Sequence, residues 1–116
     1  MKATWEIIYW LSSSGENPIH DFLDNCLPKT KVKIFRILMH LAEYGLQGAI
    51  PHLKKLTGTP LWEIKIRSKE NVRILYVAYT GKKILLLHAF YKKKQKTPKK
   101  EIEIALKRLK DYKINH

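Results

Sequence analysis

The sequence predicts an α+β domain: a curved antiparallel β-sheet with two helices from the N-terminal half and one C-terminal helix packed against it. Three observations predict it. Trp62, Ile64 and Ile66 alternate with Glu63, Lys65 and Arg67, the period of a strand with one apolar and one charged face. Residues 72–79 and 83–90 are apolar on nearly every position and flank a tight turn at Thr80, Gly81 and Lys82, so both runs should be central strands covered on both faces. On either side of this block, apolar residues recur at the three-and-four spacing of helices that bury one face.

In chain order, residues 4–10 are rich in aromatic and β-branched side chains and read as an opening strand, broken by Ser12, Ser13, Ser14 and Gly15. Asn17 followed by Pro18 is a helix cap with proline at the first helical position, and a short helix through Phe22 and Leu23 should stop near Leu27 and Pro28. A longer helix starts at Pro28 and ends at Gly45; the spacing of Val32, Phe35, Leu38, Met39 and Ala42 predicts its buried face. Lys29, Lys31, Lys33 and Arg36 cover much of the rest, either as a solvated basic face or as a functional one. An irregular stretch through Gly48, Pro51, Gly58 and Pro60 leads into the strands. After them, Thr97 and Pro98 cap a last helix whose Ile102, Ala105, Leu106, Leu109 and Tyr112 form a core stripe.

With 116 residues and 45% hydrophobic content, the chain is expected to form one domain spanning residues 1–116, without metals or disulfide staples. Cys26 stands alone, so no intrachain disulfide can form. Glu6 lies where a secretory signal would be apolar, and no run reaches membrane-spanning length; the expectation is a cytoplasmic protein with no membrane partner. A net charge of +13 on so small a body is self-repulsive unless a polyanion or an acidic protein relieves it, which puts nucleic acid first among partners.

Motifs of high specificity are absent. No phosphate-cradling glycine loop, metal-ligand spacing or nucleophile elbow occurs, so no cofactor or metal is expected. The five histidines are scattered, and His88, late in an apolar strand, reads as a hydrogen-bonded core histidine rather than a catalytic one. What remains is cationic. Lys65 and Arg67 point the same way from one strand, Arg73 comes from the next, and Lys92, Lys93, Lys94 and Lys96 follow the third. An odd loop between the first two strands would put Lys65 and Arg73 on one face, and an even loop on opposite faces. Like charges facing each other on a sheet are destabilising, and a protein that keeps them usually holds an anion there. RNA cleavage by the 2′-hydroxyl needs no metal, and preorganised Lys and Arg suit the extra charge of its transition state. A lysine among cations has a lowered pKa, which brings it nearer to acid–base work at neutral pH. Tyr91 would stack on a base or, equally, lie over a helix as a surface aromatic.

These residues carry a recognisable pattern. Leu61-Trp62-Glu63-Ile64-Lys65-Ile66-Arg67, Val72-Arg73-Ile74-Leu75-Tyr76 and the run from Leu87 through His88, Phe90, Tyr91 and the lysines to Thr97-Pro98 closely resemble the core of the phage-derived Gp49-like toxins, a branch of the RelE/HigB superfamily. The likeness continues through Glu101, Ala105 and Arg108. The resemblance implies a RelE-like fold and the toxin of a type II toxin–antitoxin pair, an endoribonuclease that cuts messenger RNA in the ribosomal decoding site. It also implies neutralisation by an antitoxin, often a helix-turn-helix protein through which alone operator DNA is contacted. Carried over by position, Lys65, Arg67, Arg73, Lys92 and Lys93 are the implied catalytic residues, with Tyr91, Lys94 and Lys96 in RNA binding. Two positions depart: Lys65 stands where relatives often have arginine, and Asn71-Val72 where a Gly-aromatic pair commonly precedes the arginine. Two other functions suit the same charge, a non-catalytic RNA- or ribosome-binding module and a decayed toxin that only binds its antitoxin.

Overall fold

A computed structural model describes residues 4–45, 51–93 and 95–116. Strand β1 (Glu6–Tyr9) leads through the Ser12–Gly15 turn to α1 (Pro18–Asp24) and α2 (Pro28–Tyr44). Strands β2 (Leu53–Lys55), β3 (Trp62–Ile66), β4 (Val72–Tyr79) and β5 (Lys83–Tyr91) follow, then α3 (Lys99–Asn115). The strands form one sheet in the order β1-β5-β4-β3-β2. The α+β class stands, and β4 and β5 are interior strands as their unbroken apolar runs predict.

The expectation of a purely antiparallel sheet needs correcting. β2 to β5 form an antiparallel meander, but β1 runs parallel to β5, with Glu6 beside Lys83 and Tyr9 beside Leu86. Alternation shows that a segment is extended; it carries no record of which distant strand it joins. β2 was also missed. Three residues between Pro51 and Gly58 are too few for period-two patterning to show.

The sheet is covered on both faces. α1 and α2 close one face over Ile64, Ile66, Ile74, Ile84 and Leu86; α3 closes the other over Leu75, Val77, Leu85, Leu87 and Phe90. A β-bulge lies where Leu75 faces His88 and Tyr76 faces Leu86. It lets Leu87 and His88 both turn toward α3 and so inverts the alternation beyond it: Phe90 faces α3, and Tyr91 faces α1.

The buried face assigned to α2 is also corrected. Leu38 and Ala42 are buried as expected, but Val32, Phe35 and Met39 are 56%, 66% and 49% exposed, and Ile34, Ile37 and Leu41 complete the buried face in their place. Both sets have helical spacing; the second is richer in large aliphatics and meets the sheet. Asn17 caps α1 as expected, its Oδ1 accepting from the His20 N–H at 3.0 Å. At α3 the expected cap fails: Pro98, whose ring offers no acceptor, takes the capping position, and the Thr97 hydroxyl donates to Glu63. Ala105, Leu109 and Tyr112 are buried and Ile102 and Leu106 pack beside them, as the stripe predicts.

Gly45 ends α2 at φ 70° and ψ −154°, a conformation essentially reserved for glycine. A Cβ there would lie 2.5 Å from Trp5 Nε1. Gly45→Ala should therefore cost at least ~1–3 kcal/mol, read as a lower urea midpoint at unchanged slope.

Candidate functional site

The strands of the meander present their charged positions to one end of the α3 face. The loop between β3 and β4 keeps odd parity, and Lys65 pairs directly with Arg73. Arg67, two residues on, and Lys54, whose strand neighbour is Glu63, join them; Lys92 and Lys93 arrive from the end of β5. These six cations, with Asn71 and Gln95, line a cleft of about 360 Å³.

Beneath it lies one carboxylate. Glu63 is fully buried on β3, with Oε1 3.5 Å from both Arg73 Nε and Lys92 Nζ, and Oε2 accepting from the Thr97 hydroxyl. Arg73 and Lys92 are themselves only 7% and 6% exposed. Among the described residues, Lys54, Lys65, Arg67 and Lys93 form no ion pair, so the cleft keeps a large excess of positive charge.

Asn71 sets the direction of Arg73. Its backbone is in the left-handed region at φ 51°, which asparagine tolerates better than most residues. Its Oδ1 accepts from Arg73 Nη1 at 2.7 Å, and its Nδ2 donates to the Lys92 carbonyl at 2.9 Å. The departure noted at this position has a physical sense, since glycine and asparagine share the conformation the turn requires. Burial lowers the pKa of Arg73 and of Lys92; Glu63 opposes both shifts, and neighbouring cations add to them. Arginine starts too high for this to matter, but for Lys92 the shift runs toward neutrality, where an ammonium becomes a better proton donor.

Of the residues the sequence singles out, Lys65, Arg67, Arg73, Lys92 and Lys93 come together. Tyr91 does not join them. The bulge turns it to the opposite face, where its ring lies 4.6 Å from Phe22 and its hydroxyl donates to Glu70 at 3.4 Å. Lys96 is exposed and is not part of the cleft lining, and Lys94 lies outside the described residues. Sequence reasoning missed Lys54, Glu63, Asn71 and Gln95. A carboxylate on an otherwise cationic strand face was the available signal for Glu63.

His88 lies against α3, with Nε2 2.9 Å from Glu101 and Nδ1 3.3 Å from Arg108, away from the cleft. This is the hydrogen-bonded histidine the sequence suggests. Burial holds its pKa below the usual 6.5, against the pull of Glu101 and with the help of Arg108. The unfolded chain then takes up this proton first as pH falls, so the contribution of His88 to stability is present above about 6.5 and is lost as pH drops toward the folded value. Denaturation midpoints should fall more steeply as pH drops below about 6.5 in the parent than in His88→Gln.

Comparison with known families adds one finding: the family model described as phage derived protein Gp49-like matches residues 21–110, a span that contains every residue lining the cleft. No curated protein matches the chain.

Proposed function

Because the chain belongs to the phage-derived Gp49-like family, we propose that it is the toxin of a type II toxin–antitoxin pair and cleaves messenger RNA in the cytoplasm, on the ribosome, as RelE/HigB-type toxins do. The observation that carries this reading is the convergence of Lys65, Arg67, Arg73, Lys92 and Lys93 on one cleft with a single buried carboxylate below. Such a cleft suits a scissile phosphate. The substrate's own 2′-hydroxyl gives up its proton to solvent water as its oxygen bonds to phosphorus, and the bond to the 5′-oxygen breaks with that oxygen taking a proton, leaving a 2′,3′-cyclic phosphate and a 5′-hydroxyl. The cations stabilise the doubly charged phosphorane-like transition state, and Arg73 is the best prepared of them, being already desolvated and held by Asn71. Lys92 is the candidate to protonate the leaving oxygen. The partner that relieves the positive charge between periods of activity is the cognate antitoxin.

One observation favours a second reading. Among the described residues no histidine, aspartate or glutamate lines the cleft, so none of the commonest general bases faces into it there. A module that only grips RNA or ribosome phosphates would have this composition, with salt-sensitive binding. Mapping transcript 5′ ends after induction without the partner separates the two. New ends within translated codons support cleavage; growth arrest with unchanged ends would replace it with binding.

A further inference from the structure

The outward side of α2 is partly apolar. Val32, Phe35 and Met39 occupy one stripe of the helix, and each is about half exposed or more. Phe35 also walls a groove of about 240 Å³ between α1 and α2, floored by Leu23, Ile34 and Leu38. Beside this apolar strip the charge is mainly basic. Lys29, Lys31 and Arg36 are exposed there; of the acids nearby, Asp24 is already 3.9 Å from Lys31, Glu70 accepts from the Leu27 N–H, and Glu43 follows Met39 one turn on.

We propose that the outer face of α2 is a docking surface for an acidic amphipathic helix of another protein, its apolar side on Val32, Phe35 and Met39 and its carboxylates against Lys29, Lys31 and Arg36. Charge selects this occupant. A second copy of the chain would bring the same basic flanks, on a body of net charge +13, against each other. RNA would answer the lysines but leave a phenyl ring and two aliphatic side chains in water. A segment with one acidic and one apolar side satisfies both, in the helix-in-groove manner, with Phe35 and the adjoining groove as the anchor. α2 covers the face of the sheet opposite the one that carries Lys65 and Arg73, so this inference goes beyond the nuclease reading and stands whether or not the cleft cuts RNA.

The test uses the full chain and a synthetic helical peptide of about 18 residues, long enough to form a helix, with glutamates on one side and leucines on the other. A charge-reversed peptide with lysines in place of the glutamates is the control. Fluorescence anisotropy should show saturable binding of the acidic peptide only, with amide NMR shifts concentrated on α2. Phe35→Ser should weaken binding at least about 10-fold, as losing a buried aromatic anchor does, while Lys65→Ala in the cleft changes it less than about 2-fold. Phe35 is exposed, so the variant should fold; Met39→Ser provides the same test if it does not. Absence of saturation at about 1 mM peptide, binding indifferent to both substitutions, or shifts centred on the cleft would overturn the proposal. So would concentration-dependent self-association abolished by Phe35→Ser, which would assign the face to a second copy, or protection of α2 by a short oligoribonucleotide.

Discussion

Glu63→Ala is expected to destabilise the protein by ~3–5 kcal/mol, the usual cost of removing one partner from a buried charge cluster. The side chain is fully buried, and two nearly buried cations, Arg73 and Lys92, share its Oε1. Without it, both must remain charged in a low-dielectric setting or recover water by opening the structure. Thr97 loses its acceptor as well, and with it the tie between β3 and the start of α3. For a domain whose whole stability is of the order of 5–15 kcal/mol, that is a large part. Guanidinium unfolding followed by tryptophan fluorescence reads the change directly. A loss below about 1 kcal/mol, the range of exposed pairs, would mean that the carboxylate does not serve as the counter-charge.

Arg73→Ala should have the larger functional effect. Removing one preorganised donor from a transition-state anion site typically lowers turnover by about 10²–10³. Growth arrest on induction should therefore be relieved and new transcript ends should vanish. The fold should survive, because Glu63 keeps Lys92 and Thr97 as partners. Circular dichroism on the purified variant separates a lost activity from a lost structure. Full toxicity in a folded Arg73→Ala protein would remove this guanidinium from the chemistry and favour a role for Lys65 or Lys92 instead.

Much of this arrangement was legible because it depends on local rules. The parity of the β3–β4 loop determines whether Lys65 meets Arg73; period-two patterning marked β3, and unbroken apolar runs marked β4 and β5. The cationic side chains were conspicuous by type. What escaped depends on events at a distance or on a single irregular residue. The bulge opposite Leu75 and Tyr76 redirects Tyr91 from the cleft side to α1, and no composition signal marks it. Lys54 was hidden because its strand is three residues long. Glu63 read as the solvated side of an alternating strand, since period alone cannot tell an exposed charge from one buried under its partners. On α2 two apolar stripes competed, and helical spacing could not say which one meets the sheet.

The parallel pairing of β1 with β5 bears on when the molecule becomes whole. Glu6 must wait for Lys83, and Tyr9 for Leu86, across most of the chain, whereas the hairpins that build the cationic cleft join neighbours in sequence. Closing so long a loop is entropically costly and late, while short-range hairpins form early. During synthesis the first strand emerges with no mate, and its pairing waits until residues 83–91 have cleared the exit tunnel. Maturation of this protein is thus timed by its own last strand.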